Sequence, residues 1–370
     1  MVYKKKQLEL HRKIYGLILL IIIIIFFFIH KIEKIKKRIG VISCENNNNV
    51  GNNLVKFAMY TKLKEFNFDP VIIALTRHEN IYFIKNHVKL KEINQSYQEL
   101  KEEDYDFLVV NSDQTWANVT PPNYLLDYGY LRFAEKWKVP KFVYGASFPF
   151  YSWTFSKQFN IQASNLLKNF SGISVREKQT VYLAMENLGV KPEFVLDPTL
   201  LIDKKYYLDL IKDYNQTFNF ELNFLCVYQL DNNIQIEQFI RLAALNLKLE
   251  IHTVNINKNY YIEDFLKCIN NSKAVITDSF HGTIFSIIFE KPFISFINSR
   301  RGNTRFISLK EVFKINDRII MPNLNIYILR DKIELLKKKF QIDKKAFDTM
   351  KNRSIFFLKK NLLIKENINK

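Results

Sequence analysis

From Arg38 onward the chain alternates short, unbroken apolar runs with longer amphipathic stretches. "RIGVISC" (38–44) reads as a strand, and "NLVKFAMYTKLKEF" (53–66) places its apolar residues at helical spacing. "DPVIIAL" (69–75), "DFLVVN" (106–111) and "KFVYGAS" (141–147) read as further strands. "NIQASNLLKNF" then predicts a helix, "SGISVRE" a strand, and "KQTVYLAMENLGV" a helix stopped by Gly189. "EFVLDPTLL" predicts a strand running into a proline-containing turn. After a linker near 200–218 the alternation restarts with "FLCVYQL", "QIEQFIRLAALNL", "LEIHTV", "IEDFLKCINNS", "AVIT" and "PFISFI". Two blocks of alternating strand and helix predict an α/β chain with two Rossmann-like, doubly wound parallel sheets. Ligands of such sheets bind beyond the carboxyl ends of the strands, so clusters directly after strands carry the functional weight.

Ahead of this body, Ile14–Ile29 is an uncharged, isoleucine-rich run with basic flanks, and no small-residue cleavage site follows it. A single span needs about 20 apolar residues, with a floor near 17, and snorkelling by Lys13 and Lys31 stretches this run toward that floor. A transmembrane signal anchor is therefore expected, with its orientation left open by balanced flanking charges. Expected boundaries are a membrane anchor over 1–38, an N-terminal Rossmann-like domain over 39–205, a C-terminal one over 206–330, and a basic helical tail over 331–370.

Charge changes the picture by where it lies. The net charge is +18, but residues 1–38 hold +8 and residues 330–370 another +8, which leaves +2 for the middle of the chain. A nearly neutral body with basic ends fits an anionic lipid surface better than a nucleic acid groove, and a solvated lysine-rich tail accounts equally for the C-terminal part. The three cysteines, Cys44, Cys226 and Cys268, are far apart and lack metal-type spacing. They are expected as separate buried thiols, with no disulfide framework and no metal site.

Five strand-end clusters carry candidate chemistry. In "NNNNVGNN" (46–53), Gly51 and Asn52 open a helix whose backbone amides favour an anion, although an ordinary Asn-rich turn explains them as well. In "NSDQTW" (111–116), Ser112, Asp113 and Gln114 can hydrogen-bond sugar hydroxyls while the Trp116 indole packs on a pyranose ring; an Asx-type helix cap is the plain alternative. Arg176 ends the strand "SVRE" and offers a fork for a carboxylate or phosphate, or simply pairs with Glu177. In "ITDSFHGTIFSIIFEKPF" (276–293), Asp278 or Ser279 caps a helix whose first turn holds His281. Gly282 there permits close approach of a ligand, and Thr283 adds a hydroxyl. "NSRRGNTRF" (298–306) sets Arg300, Arg301 and Arg305 around Gly302 as an anion clamp, or as a surface loop.

Taken in order, "NNVGNNLVKFA", "DFLVVNSDQTW", "KFVYGASF", "GISVREKQ", "FVLDPTLL", "VITDSFHGTIFSIIFEKPF" and "RRGNTRF" resemble the polysaccharide pyruvyl transferase family from about Arg38 to about Arg318. The resemblance implies a GT-B-like pair of Rossmann domains. It also implies transfer of the enolpyruvyl unit of phosphoenolpyruvate to two hydroxyls of a cell-surface glycan or its lipid-linked precursor, giving a pyruvate ketal and phosphate. No cofactor or metal is implied. Arg176 matches the family's strand-end arginine that holds the anionic donor, and His281 its active-site histidine; Asp113 joins them as a catalytic candidate. Two departures stand out: Ser279 replaces an arginine that many members carry two residues before the histidine, and Asn111 replaces a glycine. Arg300, Arg301 or Arg305 is the expected source of the missing charge. A nucleotide-sugar glycosyltransferase and a non-catalytic glycan-binding relative are the alternatives. The expected location is a membrane, with the body on the cytoplasmic face, or in the Golgi or another secretory lumen if the source is eukaryotic.

Overall fold

The computed structural model describes residues 15–21, 36–43, 49–75, 82–94, 96–117, 121–214, 223–254, 261–322 and 326–363. Residues 15–21 are helical and exposed. The rest of the expected span, Ile14 and residues 22–29, lies outside the described residues, as do Cys44 and residues 46–48. Among the described residues no helix is long and apolar enough to cross a membrane.

Residues 38–370 build two parallel sheets. In chain order the first half runs β1 (Arg38–Ile42), α1 (Val50–Glu65), β2 (Asp69–Leu75), α2 (Tyr82–His87), β3 (Leu90–Ile93), β4 (Phe107–Val110), α3 (Pro122–Gly129), β5 (Lys141–Ala146), α4 (Lys157–Leu167), β6 (Gly172–Val175), α5 (Lys178–Leu188), β7 (Glu193–Phe194) and α6 (Lys204–Ile211). The second half runs β8 (Phe224–Tyr228), α7 (Ile234–Leu247), β9 (Glu250–Thr253), α8 (Ile262–Asn271), β10 (Ala274–Thr277), α9 (Phe280–Ile288), β11 (Phe293–Phe296), α10 (Thr304–Phe313), β12 (Ile319–Ile320), α11 (Ile326–Lys337) and α12 (Lys344–Asn361).

The seven-stranded sheet has the order β3-β2-β1-β4-β5-β6-β7, and the five-stranded sheet the order β12-β11-β10-β8-β9. Central strands read as unbroken apolar runs because helices cover both faces of each sheet. Val41 sits between Ile72 and Val109, and Ile276 between Val227 and Ile294. Strand order reverses between β1 and β4 in the first sheet and between β8 and β10 in the second, opening a crevice at each carboxyl edge.

One apolar cluster joins the halves. Phe285 of α9 packs edge-on against Tyr207 of α6 at 4.9 Å and against Phe265 of α8 at 5.6 Å. The C-terminal helices α11 and α12 pack onto the two sheets. The α11 side chains Leu329, Ile333 and Leu336 cover Ile294 and Phe296 of the second sheet. Helix α12 then returns to the first sheet, where Phe357 meets Tyr144 at 6.1 Å and Leu196 N–H donates to Ser354 Oγ at 2.9 Å. The thiol expectation is corrected for two of the three cysteines. Cys226 on β8 and Cys268 on α8, both fully buried, form a disulfide with their Cα atoms 5.9 Å apart. A sequence separation of 42 concealed a pairing that strand–helix packing creates.

Candidate active site

Three strand ends of the first sheet converge on one guanidinium. Arg176 follows β6, and its side chain is 1% exposed. Its Nη2 donates to Asp113 Oδ1 at 2.9 Å, Nη1 donates to Asp197 Oδ2, and Nε reaches Glu177 Oε1 at 3.4 Å. Asp113 lies beyond β4 with φ +92, a backbone conformation that costs about 1–3 kcal/mol in a non-glycine residue. That strain turns its carboxylate inward, where Oδ2 also accepts from Asn52 Nδ2 at 3.1 Å. Asp197 caps the single turn Pro198–Leu200, and its Oδ1 accepts from the Thr199 backbone at 3.0 Å and the Thr199 hydroxyl at 2.6 Å. Removing one member of such a buried ion cluster leaves uncompensated charge, a loss of about 3–5 kcal/mol.

The second sheet contributes from above. Ser279 is the N-cap of α9, its hydroxyl accepting from Gly282 N–H at 3.2 Å. The first turn then delivers His281, whose Nε2 lies 3.6 Å from Asp197 Oδ2. On its other side, Nδ1 occupies the space that a side chain at Gly51 would fill: a Cβ there would sit 1.9 Å from it. The Phe280 ring carries two guanidinium groups, Arg176 at 4.9 Å and Arg305 at 5.2 Å. Arg305 comes from the first turn of α10 and is 7% exposed.

The electrostatics follow from burial and pairing. Burial alone would push the Asp197 carboxyl up, but Arg176 and then His281 outweigh it and hold the group far below the usual carboxylate range. Asp113 is likewise lowered against burial by Arg176 and His281. Glu177 goes the other way, raised by burial that Arg176 and the Ser147 hydroxyl only partly offset. Burial and the neighbouring Arg176 bring Arg305 down to about 10.

The structure sorts the sequence-derived candidates. Gly51, Asn52, Asp113, Arg176, His281 and Arg305 come together in this cluster. Ser112 is fully buried and donates to the Gly145 carbonyl at 2.6 Å, so its hydroxyl holds the loop. Thr283 bonds the Ser279 carbonyl at 2.9 Å and the Ser295 hydroxyl at 2.6 Å inside the second half. The space beside Gly282 is filled by Thr277, since a Cβ would fall 2.3 Å from its hydroxyl; packing rather than ligand approach requires the glycine. Trp116 is no sugar platform: it is fully buried, stacked on Tyr130 at 5.3 Å, and donates to the Gly129 carbonyl. Gln114 reaches the Arg301 carbonyl across the halves at 3.4 Å. Arg301 itself forms a two-pronged pair with Asp231, and Arg300 is exposed at a pocket of about 170 Å³ beside Asp231, Asp278 and Asn298. Sequence reasoning missed Asp197 and Phe280; the one available signal was a strand-end "LDPT" carboxylate, read there as a turn.

A cavity of about 670 Å³ lies elsewhere, between α9 and α12, lined by Ile287, Phe347 and Lys351 among others. It touches none of the cluster residues. Solved structures of similar fold include UDP-GlcNAc 2-epimerases. The UDP-GlcNAc 2-epimerase from Neisseria meningitidis, bound to UDP-GlcNAc, superposes with a TM-score of 0.57 at 10% identity, over 89% of this chain and 100% of that one. The UDP-GlcNAc 2-epimerase from Methanocaldococcus jannaschii gives 0.54 at 16% identity, over 87% and 99%. S. aureus MnaA with UDP gives 0.51 at 13%, over 89% and 98%. At such identities these establish a GT-B-type two-sheet fold and nothing of substrate. No curated protein matches the chain. The polysaccharide pyruvyl transferase family model, however, matches residues 49–300, a segment containing every member of the cluster except Arg305; the chain belongs to the polysaccharide pyruvyl transferase family and is a transferase.

Proposed function

We propose that the chain moves the enolpyruvyl unit of phosphoenolpyruvate onto two hydroxyls of a glycan sugar, forming a pyruvate ketal. The supporting observation is the buried Arg176–Asp197–His281 chain, built across both halves where the strand ends of the first sheet meet the N-terminus of α9. The reaction needs a proton delivered to the methylene carbon and taken from an attacking hydroxyl. His281 serves as that acid–base group, with the Asp197 carboxylate 3.6 Å from its Nε2 as the nearby counter-charge. One sugar oxygen bonds to the cationic carbon, the carbon–oxygen bond to phosphate breaks, and the second hydroxyl closes the ketal. The second hydroxyl's proton leaves with the phosphate, so diol plus phosphoenolpyruvate yields ketal plus phosphate. Arg176 holds the Asp113 and Asp197 carboxylates in place, and the departing phosphate needs a cation other than this paired one.

The test is phosphate release from phosphoenolpyruvate with an acceptor glycan. His281→Ala and Arg176→Ala are expected to abolish it, and full activity in either variant removes the role given to that residue. A nucleotide-sugar donor is the second reading, favoured by the 170 Å³ pocket at the carboxyl ends of β8, β10 and β11. Thermal shift with nucleotide sugars against phosphoenolpyruvate separates the two, because only a bound donor raises the melting temperature. The uncharged run 14–29 with its basic flanks supports a membrane-anchored enzyme acting on a cell-surface glycan or a lipid-linked precursor. Cytoplasmic phosphoenolpyruvate favours that face in a bacterium, and a eukaryotic source would place the body in a secretory lumen.

A further inference from the structure

We propose that Arg305 is the seat for the anionic end of the donor, its phosphate or its carboxylate, received beside Phe280 and His281. This deepens the donor reading above and rests on it for the name of the ligand, though not for the existence of the seat.

The arginines around the cleft differ in what they already hold. Arg176 spends its fork on Asp113, Asp197 and Glu177. Arg301 is satisfied by Asp231 through contacts of 2.9 and 3.1 Å. Arg305 has no carboxylate within ion-pair distance among the described residues. Its one hydrogen bond is from Nη2 to the Arg301 carbonyl at 2.8 Å, and its buried Nε has no acceptor. Asp113 and Glu177 act on it only at a distance, since both are turned toward Arg176.

One carbonyl, two ring faces and carboxylates beyond ion-pair distance leave the buried guanidinium incompletely paired, a cost that an anion at the free Nε would offset. At about 10, its lowered pKa still leaves the group cationic near neutrality. The loop holds it there. Gly302 adopts φ +101 and lies so close to Pro149 that a Cβ would come within 2.4 Å of that ring. This contact fixes the turn from which α10 starts, and with it the entry of Arg305. A planar fork with a free Nε matches an oxyanion better than a point charge does.

The test uses the full-length chain and three probes: inorganic phosphate, pyruvate and phosphoenolpyruvate. Thermal shift is expected to show the wild type stabilised by phosphate, by pyruvate, or by both, and the active probe identifies which end of the donor is seated. Arg305→Met is expected to stay folded while losing the response to the probes. Arg305→Lys is expected to keep the fold and to need at least about tenfold more probe, since a point charge replaces the fork. Should the methionine variant fail to fold, the lysine variant carries the same comparison. The seat is overturned if neither simple anion stabilises the wild type, if Arg305→Met responds as the wild type does, or if Arg305→Lys binds unchanged. Phosphate binding through Arg305 without any turnover of phosphoenolpyruvate would leave the seat standing and remove the donor assignment. Wild-type turnover by Arg305→Met would do the reverse.

Discussion

Gly51→Ala pits helix propensity against one contact. Residue 51 is in the first turn of α1, where alanine in place of glycine ordinarily stabilises a helix, by up to about 1 kcal/mol at interior positions. Here the added Cβ would lie 1.9 Å from His281 Nδ1 and 2.5 Å from its Cγ and Cε1, whereas ordinary contact begins near 3.4 Å. The imidazole must therefore move by more than an ångström. Sliding toward Asp197 relieves only part of the overlap, because the 3.6 Å from Nε2 can close to roughly 2.8 Å and no further, and the Phe280 ring stands 5.2 Å to its side. Either the ring leaves its place or the two halves separate locally. Overpacking of this kind costs about 1–3 kcal/mol, so the balance falls between no change and a loss of about 2 kcal/mol. A misplacement of about 1 Å at a reacting group costs on the order of 10²-fold in rate. Phosphate release with saturating acceptor and a melting curve measure both sides. The expected variant is folded, slightly less stable, and about a hundredfold slower. A variant that melts higher than the wild type and turns over at its rate would show that His281 does not depend on this cradle, and its assigned role would fall with it.

Other perturbations separate structure from chemistry. Asp197→Asn keeps the shape of the turn cap but removes the charge between Arg176 and His281; a stability loss of about 3–5 kcal/mol is expected by denaturant titration, with a loss below about 1 kcal/mol contradicting the buried network. Because the folded Asp197 carboxyl is held below its ordinary 3.8, its contribution is present above that value and fades as pH falls through the lower folded one. The asparagine variant should accordingly show a shallower loss of stability below about pH 4 than the wild type, and an identical slope would refute the shift. Phe357→Ala, at a side chain 1% exposed, should cost about 3–5 kcal/mol, whereas a detached C-terminal tail predicts no measurable change. Trp116→Phe should lower stability by about 1–2 kcal/mol through the lost hydrogen bond and weakened stack, with KM for the acceptor unchanged; a raised KM with intact stability would restore the indole as a sugar platform.

What could be read from the sequence divides by how local its cause is. The central strands were legible because burial on both faces makes them unbroken apolar runs, as in Phe107–Val110 and Ala274–Thr277. Edge elements were not. Leu90–Ile93 carries Lys91 and Glu92 on a half-exposed edge, and Ile319–Ile320 is too short to announce itself. The expected linker conceals α6, whose Tyr207 is fully buried under lysine-rich neighbours. The return of α12 was written in the spacing of Ser354, Phe357, Leu358 and Asn361, but the surrounding lysines masked it as a solvated tail. In the site, Ser279 as cap and His281 in the first turn follow from local rules. Asp197 does not, for an Asp-Pro pair reads as a turn, and only the approach of the second sheet brings its carboxylate beneath the imidazole.

The same division explains Ser279. Judged along the chain, a serine where an arginine is usual removes a cation from the donor site. In three dimensions the hydroxyl caps α9, and the next residue, Phe280, presents a ring to guanidiniums arriving from either half of the molecule. Arg176 cannot make up the charge, because three carboxylates already enclose it and each would have to be released before it could turn to a ligand. Arg305 can, since it enters the cluster with an unused Nε and no carboxylate of its own. On the proposal above, the cation comes from the neighbouring helix α10 instead of the helix cap, just past the matched segment that ends at residue 300. On that proposal Arg176 holds the carboxylates and Arg305 meets the anion, so Arg176→Ala should lower unliganded stability far more than Arg305→Met does.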